Sequence, residues 1–176
     1  MMKILLILLI GLKIIIFKKY KKDVCKVKEI RKNKMNNSDY YILVPIEDKS
    51  LIIDVPVDNK FGYIKDIMTK EEANELINKI PSIELISVSN DKYIEKEYKN
   101  LIYSGTKEDL IKIIKTTYLR NDKRIKNNRK KSERDDKYFN LAEKYLYNEL
   151  SISLNMSFDD TKKFIINKVS QLSNKS

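Results

Sequence analysis

The chain has 176 residues, 42% of them hydrophobic, enough to fill the cores of one or two small domains and too apolar for a disordered segment. Its formal charge of +11 points to an acidic partner, either nucleic acid or an anionic membrane surface. With no His, one Cys and three Gly, the sequence excludes an internal disulfide, argues against a zinc site and holds no glycine-spaced nucleotide fingerprint. No cofactor and no enzymatic activity are expected.

Lysine is abundant throughout, as are Ile and Asn, a bias that an AT-rich genome produces without selection for binding. Clustering therefore carries more than the raw count. Lys3 to Lys34 holds 11 basic residues against Asp23 and Glu29, and Arg120 to Arg134 holds eight against Asp122 and Glu133. The rest of the chain is net acidic, so the positive potential comes from two places.

The apolar run Ile4–Phe17 opens the chain. Its 14 residues, interrupted by Gly11 and Lys13, are short for a bilayer-spanning helix of ~20 residues. Where a secretory signal would show small residues for cleavage there is Phe17-Lys-Lys-Tyr-Lys-Lys22, so a cleaved signal is not expected and the mature chain should begin near Met1. The β-branched Ile14-Ile-Ile16 suits a strand. Two readings stay open: strand structure, or a membrane anchor with Lys18–Lys22 on the cytoplasmic side.

Val24-Cys-Lys-Val-Lys-Glu-Ile30 is a short β-rich run in which Cys25 reads as a buried strand thiol. A polar turn follows over Arg31–Asp39. Tyr40–Ile46 and Leu51–Asn59 are two further β-rich runs around the turn Glu47-Asp48-Lys49-Ser50, a hairpin signal. These short strands are too few for a sandwich and enough for a Tudor-like or SH3-like barrel.

From there the period becomes helical. Thr69-Lys-Glu-Glu72 is a capping-box pattern, and Pro81 ends that helix after Ile80. Asn90 or Asp91 caps a second helix with Tyr98, Leu101 and Ile102 on its apolar stripe, ended by Ser104-Gly105. Thr106 starts a third, with Leu110, Ile113, Ile114, Thr117 and Tyr118 on one face. Ser132 precedes a fourth, with Tyr138, Leu141, Ala142, Tyr145, Leu146 and Leu150 inward and Glu149 among the flanking polar residues. Ser157 opens a short fifth, with Phe164, Ile165 and Val169 inward.

Asn121–Ser132 is the one stretch of low hydrophobicity, read as a charged loop or frayed helix end. The acid pairs Glu71-Glu72 and Asp159-Asp160 sit in first helical turns, where the dipole favours them, and need no catalytic role. The aromatics Tyr98, Tyr103, Tyr118, Tyr138 and Phe139 are expected in the core.

Tyr41-Ile-Leu-Val44 followed by Leu51-Ile-Ile-Asp-Val-Pro-Val-Asp-Asn59 resembles the strand pair that, in the CarD family of bacterial transcription regulators and in the matching module of transcription-repair coupling factors, builds a Tudor-like polymerase-interacting domain. Lys65-Asp-Ile-Met-Thr-Lys-Glu-Glu72 resembles that family's entry into its helical domain. Lys96-Glu-Tyr-Lys99, Ile113-Ile-Lys-Thr-Thr-Tyr-Leu-Arg120, Asp136-Lys-Tyr-Phe139 and Ala142–Leu150 resemble its later helices in order, and the likeness runs from about Val24 to Val169.

The resemblance implies an α+β chain: an apolar extension over 1–13, a Tudor-like RNA polymerase-interacting barrel over 14–62, and a helical DNA-binding domain of about five helices over 63–176. It implies docking on the RNA polymerase β subunit through Arg31, Lys32, Ile52 and Asp54. It implies contact with promoter DNA, stabilising the open complex, through Lys96, Lys99, Arg120, Lys123, Arg124, Lys130, Lys131 and Lys137. The chain would act as a cytoplasmic, nucleoid-associated monomer, with the membrane-tethered basic protein as the alternative.

Three departures stand out. There is no Trp, where the family often places a wedge at the edge of the transcription bubble, and Asp91 or Tyr93 lies near that place. Asp54 stands where some members carry a basic residue. The usual Gly-Asp turn before the first strand is replaced by Ile10-Gly-Leu-Lys13.

Overall fold

Alternation of apolar and polar residues in the first third of the chain builds an antiparallel sheet. The computed structural model describes residues 14–17, 23–35, 37–104 and 106–174. The chain divides into two units, one through Ile67 and one from Met68 onward.

The first unit holds strands β1 (Ile14–Phe17), β2 (Asp23–Lys32), β3 (Asp39–Pro45), β4 (Ile53–Pro56) and β5 (Ile64–Asp66), in the order β4-β3-β2-β1-β5. The ten residues of β2 pair with β1 through Asp23–Lys26 and with β3 along most of their length, with an irregularity between Val27 and Glu29. A bulge of this kind bends and twists a long strand, which lets the sheet curl into a half-barrel. Ile15, Cys25, Val27, Leu43 and Val55 fill its concave side, with Tyr41, Ile53, Tyr63 and Ile64 packed around them. The Cys25 thiol is fully buried, as its alternation with Val24 and Val27 predicts.

Ile14–Phe17 is a strand, so the end of the N-terminal apolar run follows the first of its two readings; Ile4–Lys13 lies outside the described residues. Two boundaries differ from expectation. Leu51 and Ile52 are exposed and precede β4 rather than opening it. Lys65 and Asp66, expected at the entry to the helical domain, belong to β5, which pairs with β1, and the division of the chain falls after Ile67 instead of Gly62.

Among the described residues the second unit holds five α-helices: α1 (Lys70–Lys79), α2 (Ile94–Ser104), α3 (Lys107–Lys126), α4 (Glu133–Leu154) and α5 (Phe158–Ser173). Thr69 with Glu72 and Thr106 with Asp109 form complete capping boxes, and Ser132 and Ser157 accept from the backbone N–H groups of Asp135 and Asp160. Pro81 converts the end of α1 into a 3-10 turn over Ile80–Ser82. There Lys115 of α3 caps the turn from outside, its ammonium donating to the carbonyls of Ile80 (2.9 Å), Pro81 (3.1 Å) and Ile83. A cation is favourable at such a carbonyl-rich end, although burial lowers the pKa of Lys115.

Ala73, Ile77, Ile94, Tyr98, Ile113, Ala142, Leu146 and Leu150 form the centre of one apolar core. The fifth helix is longer than expected, and the third continues past Asn121 to Lys126. Asn121 is buried, and its side chain explains the continuation: Nδ2 donates to Asp136 at 2.9 Å and Oδ1 accepts the Ser132 N–H at 2.8 Å. One amide of α3 thereby holds the start of α4 on the far side of the turn.

Candidate nucleic-acid interface

The last turn of α3 and the loop after it concentrate the basic residues. Asn127 caps the helix, and Asn128 takes a left-handed conformation (φ 54°) that Asn tolerates better than most side chains. Arg129 N–H then donates back to Arg124 O at 2.8 Å, and Arg124 Nε donates to Lys130 O at 2.8 Å, folding the loop onto the helix end. Cations here also complement the negative end of the helix dipole.

Four of these cations, Lys123, Arg129, Lys130 and Lys131, are exposed and take part in no ion pair among the described residues. Of the nearby acids, Asp122 pairs with Lys126 at 2.7 Å and Asp136 accepts from Asn121, which leaves Glu133, exposed at the start of α4, as the one acid beside them. The loop therefore presents a net positive charge.

Beside it runs a groove of ≈ 390 Å³ lined by Tyr118, Asn121, Ile125, Lys131 and Phe139, among others. Tyr118 is 62% exposed, contrary to its expected place in the core. Its helical spacing from Ile114 is right, yet Ile113 and Thr117 take the innermost positions and rotate Tyr118 outward. An exposed ring beside unpaired cations can stack on sugars or bases. Tyr103 is exposed as well, while Tyr98 and Tyr138 lie in the core and pack together with ring centroids 5.1 Å apart.

The expected DNA-contacting residues separate into three groups. Lys123, Arg124, Lys130 and Lys131 come together at the end of α3. Lys99 and Lys137 meet around Glu95: Lys99 pairs with it at 3.2 Å, Tyr138 donates to it at 3.2 Å, and Lys137 lies over the Tyr138 ring at 5.6 Å. Lys96 stands exposed on α2 beside them in sequence.

Arg120 stands apart from both. Its Nε donates to Asp135 at 2.9 Å and its Nη2 donates to Asp91, so its guanidinium meets carboxylates of its own chain. Arg134 joins the same network, donating to Asp91 at 2.9 Å. Hydrogen bonds from Arg134 and Arg120 hold the Asp91 carboxyl below its ordinary value of 3.8. Asp135 is fully buried and also accepts from the Tyr98 hydroxyl at 3.3 Å, and burial together with that carboxylate pushes the Tyr98 phenol well above its ordinary range.

The sequence pattern offers Asp91 as a cap and gives Asp135 no special role. Asn90 supplies the cap instead, accepting from Lys92 N–H at 3.0 Å. Glu149 differs from its expected flanking position in the same way. It is buried, accepting from Met68 N–H at 2.9 Å and from Lys107 at 2.5 Å.

On the β unit, Arg31 and Lys32 end β2 opposite Tyr40 and Asp39, and Asp54 lies on the outer strand β4 opposite Ile42. Strand β3 therefore separates the basic pair from Asp54. Arg31 is paired with Glu29 at 2.5 Å, and Ile52 is 56% exposed in the turn before β4. Among the described residues no cluster of acids and Cys could hold a metal ion, and no helix is long and apolar enough to cross a membrane. Comparison of the chain with family models and with curated proteins gives no match.

Proposed function

We propose that this chain is a non-enzymatic transcription regulator. Its β unit, read as a Tudor-like module, docks on the RNA polymerase β subunit, and its helical unit contacts promoter DNA through the phosphate backbone. It works in the cytoplasm on the nucleoid, as a monomer, and stabilises the open complex.

The observation that carries the DNA half is the loop after α3. Lys123, Arg129, Lys130 and Lys131 project from a rigidly capped helix end with no ionic partner among the described residues. Cations that are paired internally lose much of their attraction for phosphate, and these are not. The arrangement favours backbone contact without reading of base sequence, since no base-reading helix is implied by the pattern. The polymerase half rests on the strand words from Tyr41 to Asn59 and on an outer strand, β4, whose edge can extend a partner's sheet.

The test is a titration of fork-junction DNA at several salt concentrations. Replacing Lys123, Lys130 and Lys131 by Ala, singly and together, should weaken binding to every sequence alike and reduce the log–log salt slope by about 0.9 for each phosphate no longer neutralised. Slopes unchanged from wild type would remove DNA from the reading. Retention of the polymerase β subunit by the full chain, reduced by changes at Ile52 and Asp54, tests the other half separately.

A further inference from the structure

Two guanidiniums converge on one carboxylate at the surface of the helical unit. Arg120 Nη2 donates to Asp91 Oδ1, and Arg134 Nη2 donates to Asp91 Oδ2 at 2.9 Å. From beneath, Asp135, 0% exposed, accepts from Arg120 Nε at 2.9 Å and faces Arg134 Nε at 3.6 Å. The lower carboxylate holds Arg120 by a hydrogen bond and attracts Arg134 by charge alone. The upper one is 60% exposed and sits on a single 3-10 turn, Asp91–Tyr93, whose cap is made by Asn90 and not by Asp91 itself.

Two planar donor forks, each reaching a different oxygen of one small anion, are the arrangement that holds phosphate oxyanions. Arg134 Nε is buried, facing Asp135 without a hydrogen bond, so it is the Nη2 groups of the two arginines that meet a ligand on the solvent side. A phosphate offers more charge and more acceptor oxygens than a carboxylate does. Asp91 can leave by a rotation of its side chain, because its turn does not depend on that side chain for a cap.

We propose that Arg120 and Arg134 form a binding site for a phosphate oxyanion and that Asp91 is its internal occupant, displaced when phosphate arrives. A nucleic-acid backbone or free phosphate could supply the ligand. Only the choice of nucleic acid as source rests on the function proposed above. Asp91 would then act as a built-in competitor, reserving the site for ligands of high local phosphate density.

The full chain provides the test, with inorganic phosphate and a short DNA duplex as separate probes. Asp91→Asn should tighten inorganic phosphate binding about tenfold, whereas Asp159→Asn, which adds the same charge at the start of α5, should change it less than twofold. Adding Arg134→Gln to Asp91→Asn should abolish the gain. A parallel gain for the duplex supports a nucleic-acid source; a gain for phosphate alone supports the site and identifies free phosphate as its ligand. In wild type, which needs no variant to fold, the Nε–Hε NMR signals of Arg120 and Arg134 should shift in phosphate before those of Arg124 and Arg129. Equal gains in the two Asp variants, a gain that survives Arg134→Gln, or Arg120 and Arg134 signals indifferent to phosphate would overturn the proposal.

Discussion

The side-chain amide of Asn59 pairs with both backbone groups of Ile64: Nδ2 donates to the carbonyl at 2.9 Å, and the Ile64 N–H donates to Oδ1 at 3.1 Å. Asn59 follows β4 and Ile64 begins β5, the two outer strands of the sheet, which share no ladder. One amide thus does what a further pair of strand residues would do. Asn59 holds φ 48°, a left-handed conformation, and Gly62 at φ 62° completes the turn between them.

Asn59→Ala should therefore destabilise the β unit by about 2–3 kcal/mol, combining the loss of two hydrogen bonds with the strain of a left-handed Ala. Asn59→Gly removes the bonds without the strain and should cost roughly 1 kcal/mol less. Cys25 is the chain's single cysteine and is buried in this unit, so the rate at which a thiol reagent modifies it reports opening of the sheet directly. Labelling of Asn59→Ala should run roughly 30- to 150-fold faster than wild type. Equal rates would mean that the Asn59 bridge adds nothing.

How far each feature is legible in the sequence depends on how local its signal is. The helix starts at Thr69, Thr106, Ser132 and Ser157 are legible because a cap and its partner acid lie three residues apart in one segment. The Cys25 strand is legible from its period of two. The buried ions are not. Asp135 and Asp136 look alike as first-turn acids, and what draws Asp135 inward is Tyr98 on α2 and Arg120 on α3, residues far from it in sequence. Arg120 cannot be told from Lys123 within one basic run for the same reason. Strand β5 escapes because three residues carry too little pattern, and its anchor, Asn59, acts through a side chain.

Glu149 joins three parts of the helical unit. From α4 its carboxylate accepts from the N–H of Met68, just before α1, and from Lys107 in the first turn of α3, with little of either charged side chain exposed. Breaking such a pair from one side leaves the other charge poorly solvated, which costs about 3–5 kcal/mol when burial is deep. Glu149→Ala should approach the lower end of that range, because Lys107 keeps some contact with solvent. Glu149→Gln keeps an acceptor for Met68 and should cost less. Denaturant midpoints of both, with Lys107→Ala to close a double-mutant cycle, check this; a coupling energy below about 0.5 kcal/mol would show that the pair acts as a surface ion pair.

Tyr98 gives the helical unit a pH signature. Its phenol is buried against the Asp135 carboxylate, and the folded-state pKa is raised above the ordinary 10.0. Between 10.0 and that higher value the unfolded chain has lost the Tyr98 proton while the folded chain retains it. The stability contributed by Tyr98 is thus fully present below pH 10.0 and is lost as pH rises through the folded pKa. Tyr138 and Tyr147 are shifted the same way, Tyr147 to about 12 by burial, so wild type alone cannot isolate the effect. Tyr98→Phe does: it should lower stability at pH 7 by roughly 1 kcal/mol, the value of one buried hydrogen bond to a charged acceptor less the gain of an apolar ring. It should also lose stability less steeply than wild type above about pH 10, so that the two curves converge. Unfolding measured at intervals from about pH 7 to 11 compares them, and parallel curves would mean that the Tyr98 hydroxyl is free to ionise in the folded protein.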